Sequence, residues 1–162
     1  MTPSLRSPLA RACVRSAVLL AGLAACSTPA AAQTVSLSLS AATISFASAD
    51  PDTTPSIASN TLTVTYSVGA SGGAAWRITL LASNDFMQGG DAIPASSVTW
   101  TATPAPPFQN GTLNRTTPQI LASGSGNTGG NKTGTVVFYL ANSWGYNTGT
   151  FSNTLIFTIS CP

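Results

Sequence analysis

The alternation of apolar and hydroxyl side chains is the feature that most constrains the fold of this chain. From Gln33 onward, apolar residues recur at every second position, first from Val35 to Leu39 and again from Leu62 to Val68. No stretch of the sequence shows the 3.6-residue period of an amphipathic helix. Alternation places one face of a strand in a core and the other in water. The sequence therefore predicts an all-β fold.

The number and spacing of these runs predict the architecture. Seven alternating runs cover residues 35–39, 44–46, 62–68, 76–80, 98–102, 136–140 and 151–159, with a weaker eighth run at 119–122. Trp76 and Trp100 are in phase with their apolar neighbours, which predicts that both are core residues. The glycine-rich stretches 69–75 and 126–133 are expected to be hairpin connections. Seven or eight short strands predict one antiparallel, immunoglobulin-like β-sandwich over residues 33–162.

The first 32 residues have the composition of an export signal. Three arginines precede an apolar run over residues 16–25, which is too short to cross a bilayer of about 30 Å as a helix. Three alanines ending at Ala32 follow Pro29, and small residues after a helix-breaking proline are typical of a signal peptidase site. Cleavage after Ala32 is therefore expected, leaving a mature chain with no transmembrane span.

A second processing route stays open. Leu23-Ala24-Ala25-Cys26 matches the bacterial lipobox, in which residues 1–25 are removed and Cys26 is acylated. Either cut removes the leader arginines, so residues 33–162 carry three cations and four aspartates, a net charge of −1. Three scattered cations are too few to neutralise a run of phosphates, which argues against nucleic-acid binding. They also argue against binding through a polybasic membrane surface.

The composition excludes several kinds of catalysis. The 162 residues include no histidine, which removes Ser-His and Cys-His nucleophile pairs and imidazole metal ligands. Only 6% of residues are charged, against about 25% in an ordinary domain. Serine and threonine make up 27% of the chain, so hydroxyls replace ions as the solvating groups. The sequence predicts a non-enzymatic protein that needs no cofactor.

The four acidic residues are the weak candidates for a metal site. Asp50 and Asp52 precede one strand, while Asp85 and Asp91 lie in a loop over residues 83–95. Calcium takes six to eight oxygen ligands, which two such groups would supply in part if the fold joined them. The alternative is that these aspartates cap turns, and no calcium-loop motif is present to favour the metal.

The loop over residues 142–149 is the candidate ligand site. Trp144 and Tyr146 offer faces that stack on sugar rings, and Asn142 and Asn147 offer hydrogen bonds to sugar hydroxyls. The alternative is a lid over the end of the sandwich, with the Tyr146 hydroxyl bonded to the backbone. Cys161 likewise has two readings, as an intermolecular disulfide or as a small apolar side chain at a strand end.

Three segments resemble known families. Residues 35–46 (VSLSLSAATISF), 62–81 and 149–162 resemble the WxL-type β-sandwich domains of bacterial cell surfaces, with Trp76-Arg77-Ile78 in place of the proximal Trp-x-Leu. The distal Trp-x-Leu is missing, since Leu155-Ile156-Phe157 stands where it would be. The ending GTFSNTLIFTISCP is also similar to spore-coat-U-like secreted subunits with a pilin-like sandwich. Both resemblances imply an exported structural protein.

Together these features predict a non-enzymatic structural protein of the bacterial envelope, periplasm or cell surface, secreted or lipid-anchored. It would assemble with itself or with other envelope proteins by strand addition through Val35–Leu39 or Phe151–Ile159. The alternative function is a carbohydrate- or peptidoglycan-binding module that uses the aromatic loop, with cell-wall polysaccharide as its ligand.

Overall fold

The computed structural model describes residues 33–70 and 72–161, together with the backbone of residues 12–17. Of the described residues, 56% are in strands and none is in an α-helix. A single turn of 3₁₀ helix covers Ala95–Ser97. The strands are, in chain order, β1 (Ala12–Ala17), β2 (Thr34–Leu39), β3 (Thr43–Phe46), β4 (Ser56–Ala58), β5 (Leu62–Gly69), β6 (Ala75–Ala82), β7 (Phe86–Gln88), β8 (Asp91–Ile93), β9 (Val98–Thr103), β10 (Gly111–Thr112), β11 (Gln119–Ser125), β12 (Lys132–Ala141), β13 (Gly149–Phe151) and β14 (Leu155–Ser160). The predicted all-β fold is confirmed.

Two antiparallel sheets form the sandwich. The first sheet has the order β10-β9-β12-β5-β2, with β4 also paired to β12. The second sheet has the order β11-β6-β14. Buried residues of both sheets belong to one hydrophobic core, in which the ring of Tyr66 on β5 lies 5.0 Å from the ring of Trp76 on β6. The predicted burial of Trp76 and Trp100 is confirmed, with 5% and 1% of each residue exposed.

The strands form where the sequence alternates because each of them has one face in this core. Along β5 every second residue from Leu62 to Val68 is buried, and the residues between them are partly exposed. The one-residue phase change after Leu39 corresponds to a break between β2 and β3, which join different sheets. All eight predicted runs contain a strand.

Both predicted hairpins are wrong. The segment 69–75 leaves β5 in the first sheet and enters β6 in the second, and the segment 126–133 crosses in the opposite direction from β11 to β12. The glycines are needed in these crossings because Gly73 and Gly126 have φ near +74°, where a Cβ atom is strained. Glycine-rich turns signal a change of direction, and the sequence does not reveal whether the chain stays in the same sheet.

Three core aromatic rings lie over glycines. Trp100 covers Gly111 on the neighbouring strand β10, Trp76 covers Gly124 on β11, and Phe108 covers Gly134 on β12. At each glycine an added Cβ would overlap the ring. These glycines are therefore required for close packing rather than for a turn.

The outward face of the first sheet is lined with hydroxyls. Ser36 and Ser67 share a hydrogen bond of 2.7 Å between β2 and β5, and Thr103 and Thr135 share another of 2.7 Å between β9 and β12. These pairs connect neighbouring strands on the side facing water. The predicted role of serine and threonine in solvating the strands agrees with this arrangement.

A third, smaller sheet has the order β13-β1-β3. Residues 14–17 of β1 lie antiparallel to residues 43–46 of β3, and residues 12–14 lie parallel to residues 149–151 of β13. Strand β1 thus belongs to the predicted leader. Both predicted cleavage points, with Cys26, lie outside the described residues.

Candidate functional site

The loop between β12 and β13 carries the predicted aromatic site. Trp144 is 43% exposed, so much of its indole faces solvent. Its Nε1 donates a hydrogen bond of 2.9 Å to Oδ1 of Asp52. The two residues are 92 positions apart in sequence, and nothing in the alternation pattern or the turn signals predicts that they meet. Trp144 is therefore a side chain predicted for stacking that presents an exposed ring, and the Asp52 carboxylate holds the orientation of this ring.

Tyr146 and Asn142 have structural roles in the same loop. The Tyr146 hydroxyl donates to Oγ of Ser97 at 3.1 Å, and its ring packs against the core. The Asn142 amide donates to the carbonyls of Ala49 and Thr54, at 3.1 and 3.0 Å. Both side chains therefore tie the loop to the end of the sandwich, as in the lid alternative. The hydroxyl partner of Tyr146 is a side chain and not the predicted backbone group.

Asn147 is exposed in this loop. It lies three residues from Trp144, so its amide remains the polar group of the predicted set that faces solvent. The candidate ligand surface is consequently smaller than the sequence predicts. It consists of the Trp144 ring, the Asp52 carboxylate and the exposed Asn147.

The Asp50–Asp52 segment forms a turn beside this ring. Oδ1 of Asp50 accepts a hydrogen bond of 2.9 Å from the backbone N–H of Asp52, and its carbonyl accepts from the N–H groups of Thr53 and Thr54. This is the turn chemistry that short acidic side chains support. The turn places the Asp52 carboxylate within reach of the indole.

Asp85 is engaged on both oxygens. Oδ1 accepts from the backbone N–H of Ala95 at 2.9 Å, and Oδ2 forms an ion pair of 2.8 Å with Nη1 of Arg115. Asp91 is exposed at the start of β8. Within residues 33–70 and 72–161, no three acidic, cysteine or histidine side chains come together to hold a metal. The fold does not join the two predicted acidic pairs.

A shallow depression of about 420 Å³ lies beside Asp85 at the break between β13 and β14. Asn153, the buried polar residue at this break, accepts from Oγ of Ser83 and the N–H of Asn84 and donates to the Asn84 carbonyl at 2.6 Å. These contacts fix the backbone of two loops against each other. The polar groups of the depression are therefore largely used by the protein itself.

Cys161 directly follows β14 and is 7% exposed. Its sulfur lies among core residues, as the alternative of a small apolar side chain describes. An interchain disulfide through this thiol would require the end of the chain to move outward. Of the two roles that the sequence allows, the burial of Cys161 favours the small apolar side chain at a strand end.

The chain matches no protein-family profile, and no curated protein sequence is significantly similar to it. The resemblance to WxL-type and spore-coat-U-like domains stays a prediction. Trp76, which stands in place of the proximal Trp-x-Leu, is a core residue in contact with Tyr66. Across the described residues there is no helix of the length and apolar character needed to cross a membrane.

Proposed function

We propose that this chain is a non-enzymatic structural protein that bacteria export to the cell envelope, where it assembles with copies of itself. The observation that carries the proposal is the chemistry of the sheet edges. Strands β2 and β10 end the first sheet, and β11 and β14 end the second. None of these four strands contains a charged residue.

Two of these strands are protected, because β11 has a bulge and is paired on its outer side with residues 107–109, and β10 is only two residues long. The unguarded edges are β2 and β14, and such edges are unusual in proteins that remain monomeric. An edge strand presents unpaired N–H and C=O groups, and natural proteins protect it with charges, prolines, bulges or covering segments. Strand β2 combines an uncharged edge with alternating apolar residues and is six residues long. Such an edge favours pairing with another chain, and that is useful in a structural subunit.

The leader composition and the low charge support the same proposal. Three arginines, a short apolar run and an Ala-x-Ala sequence indicate export. The carboxylates of Asp50, Asp52 and Asp85 are engaged in a turn, in the hydrogen bond with Trp144 and in an ion pair. A structural role makes no demand on titrating groups, which agrees with a composition that contains few of them.

Envelope fractionation with an intact-mass measurement tests export. We expect the protein recovered from the envelope of an expressing bacterium to begin at Gln33, or to begin at an acylated Cys26. Cys26→Ser separates the two routes, because it abolishes lipidation and leaves cleavage after Ala32 unaffected. Recovery of the uncut 16.3-kDa chain from the cytosol would contradict the proposal.

Carbohydrate binding is the second candidate function, and the exposure of Trp144 favours it. An indole face held by Asp52 is a platform on which a sugar ring stacks. Co-sedimentation with purified cell-wall sacculi tests it, and we expect Trp144→Ala to reduce the bound fraction several-fold. Ile120→Ala is the matched control, since Ile120 is equally exposed at 43% and lies on β11. Equal binding by both variants would exclude Trp144 as the site.

A further inference from the structure

We infer that the space between β3 and β13, here called the β3–β13 groove, is an acceptor for strand β2 of a second copy of this chain. In the structure residues 12–17 fill the groove as β1. These residues lie within the leader that both predicted processing routes remove. The inference therefore rests on the proposed function, because export is what empties the groove.

The groove is one strand wide. Strand β1 is hydrogen-bonded to β3 on one side and to β13 on the other, so its removal separates these strands by two interstrand spacings. Each spacing is about 4.8 Å, which gives a gap of about 10 Å. An extended peptide restores both ladders only if it runs antiparallel to β3 and parallel to β13, as β1 does.

The walls of the groove are held from outside and do not depend on β1. On the far side of β3, Oδ1 of Asn60 accepts from the N–H of Ser45 at 2.8 Å and its amide donates to the Thr43 carbonyl at 3.2 Å. On the far side of β13, Met87 and Ser152 exchange two backbone hydrogen bonds of 3.0 Å. These contacts keep the groove in place after the leader is cut.

The register of the groove specifies the chemistry of its occupant. Residue 14 of β1 lies opposite Phe46 on β3 and Phe151 on β13, which are 2% and 1% exposed. Ile44, two residues from Phe46, is also buried. Because side chains alternate along a strand, an occupant with apolar residues at every second position covers this floor. Without one, three core side chains are uncovered.

Strand β2 has the required pattern and is the first strand of the processed chain. It is six residues long, as β1 is, and its apolar residues Val35, Leu37 and Leu39 are only partly buried. It pairs with β5 on one side and forms the end of the first sheet on the other. Placing Leu37 at the position of residue 14 puts all three apolar residues over the floor of the groove.

Moving β2 from its own sheet into the groove of a second copy replaces about as many backbone pairs as it breaks, and it buries apolar side chains. Leaving β5 costs the donor six register pairs, whereas β1 makes seven, four with β3 and three with β13. Residues 40–42 link the donated β2 to β3 of its own copy and reach about 10 Å when fully extended, so the donor and the acceptor lie side by side. Each copy has one groove and one β2. Two copies that exchange β2 reciprocally form a closed dimer, whereas copies that each donate to a different partner form the linear, head-to-tail series expected here.

Native mass spectrometry of the processed protein tests the inference. We expect wild-type protein, recovered after export, to form a ladder of oligomers that lengthens as its concentration rises from about 1 to 100 μM. Leu37→Asp is expected to abolish the ladder, because a carboxylate cannot lie on the apolar floor. Ser38→Asp, on the opposite face of β2, is the matched control and is expected to retain it.

A peptide of residues 33–42 (QTVSLSLSAA) distinguishes an empty groove from a misfolded chain. It is expected to bind one-to-one to the Leu37→Asp protein and to shorten the wild-type ladder, whereas the same peptide carrying Leu37→Asp does neither. If the Leu37→Asp protein fails to fold, the shortening of the wild-type ladder is still measurable.

Two results would overturn the inference and are distinguishable. A processed chain that stays monomeric and binds no peptide shows that its own β2 folds back into the groove or that the groove closes. This result overturns the inference and the self-assembly proposed above, and it leaves the proposed export intact. A chain recovered with residues 1–32 still attached contradicts the proposed function together with the inference that depends on it.

Discussion

Replacing Gly124 with alanine is expected to destabilise the fold, although alanine is normally the better residue in a strand. Gly124 lies opposite Trp76 in the pairing of β11 with β6. A Cβ atom at this position would lie 2.5 Å from Cζ2 and 2.8 Å from Cε2 of the indole. Ordinary carbon–carbon contacts are about 3.5–4.0 Å, so the ring would have to retreat by about 1 Å.

The indole has little room for this movement. Trp76 is 5% exposed, and the ring of Tyr66 lies 5.0 Å away at an angle of 44°. Inserting a methyl group into a well-packed core costs about 1–3 kcal/mol. Removing the glycine returns about 0.5–1 kcal/mol through backbone entropy. The expected net loss in the free energy of unfolding is about 1 kcal/mol, within a range of about 0–2.5 kcal/mol.

Urea unfolding followed by circular dichroism measures this loss. For a loss of about 1 kcal/mol and an m-value of about 2 kcal/mol/M, the Gly124→Ala midpoint should fall by roughly 0.5 M. Gly90→Ala is the matched control, because nothing lies within 4 Å of its Cβ position and its φ is not left-handed. Its midpoint should be unchanged or raised.

A double variant tests the cause. In a Trp76→Phe background the shorter ring leaves room for the methyl group, so the cost of Gly124→Ala should shrink, with a coupling of about 1 kcal/mol. If Gly124→Ala behaves like Gly90→Ala, or if its cost is the same in both backgrounds, the ring is not held against the glycine and the reasoning is refuted.

Three further predictions concern polar groups. Burial raises the pKa of Tyr66, so above about pH 10 this tyrosine ionises in the unfolded chain while it stays neutral in the folded one. The stability that is present below about pH 10 is therefore lost as the pH rises through the folded pKa. Tyr66→Phe should flatten this part of a profile of urea midpoint against pH. Asn153→Ala should lower the free energy of unfolding by about 1–2 kcal/mol, since it removes a buried side chain that hydrogen-bonds to Ser83 and to the backbone of Asn84. A midpoint equal to wild type would contradict this. Arg115→Ala should lower the free energy of unfolding by less than about 1 kcal/mol, because the Arg115 side chain is 61% exposed. Asp85→Ala should lower it further, because the backbone N–H of Ala95 also loses its acceptor. Equal losses for the two variants in parallel urea titrations would refute this ordering.

The strands were predictable from the sequence because the sandwich buries one face of each. Alternation from Leu62 to Val68 reports that burial directly. The short strands β7 and β8 were missed because three residues hold too few alternations to be recognised, although Gly89-Gly90 between them is a turn signal. The order of strands was not predictable either, since alternation reports the face of a residue and not its neighbour.

The candidate site was predictable only in part. Placing Trp144 in a loop beyond the last core strand indicates exposure, and its ring is indeed exposed. The contact with Asp52 depends on how two distant loops meet, and no local pattern encodes it. Tyr146 and Asn142 have the right chemistry for a ligand, but the same donors close the end of the sandwich. Residue type does not distinguish these two uses.

The hydroxyl pairs on the outer face of the first sheet have a consequence for the conditions under which the molecule works. Groups such as Ser36–Ser67 and Thr103–Thr135 neither gain nor lose a proton in the range where carboxylates and amines titrate. Dissolved salt screens charges and has little to act on at a neutral surface. This face therefore keeps the same hydration in dilute acid, in mild alkali and in brine, a constancy that a surface built from lysine and glutamate does not have.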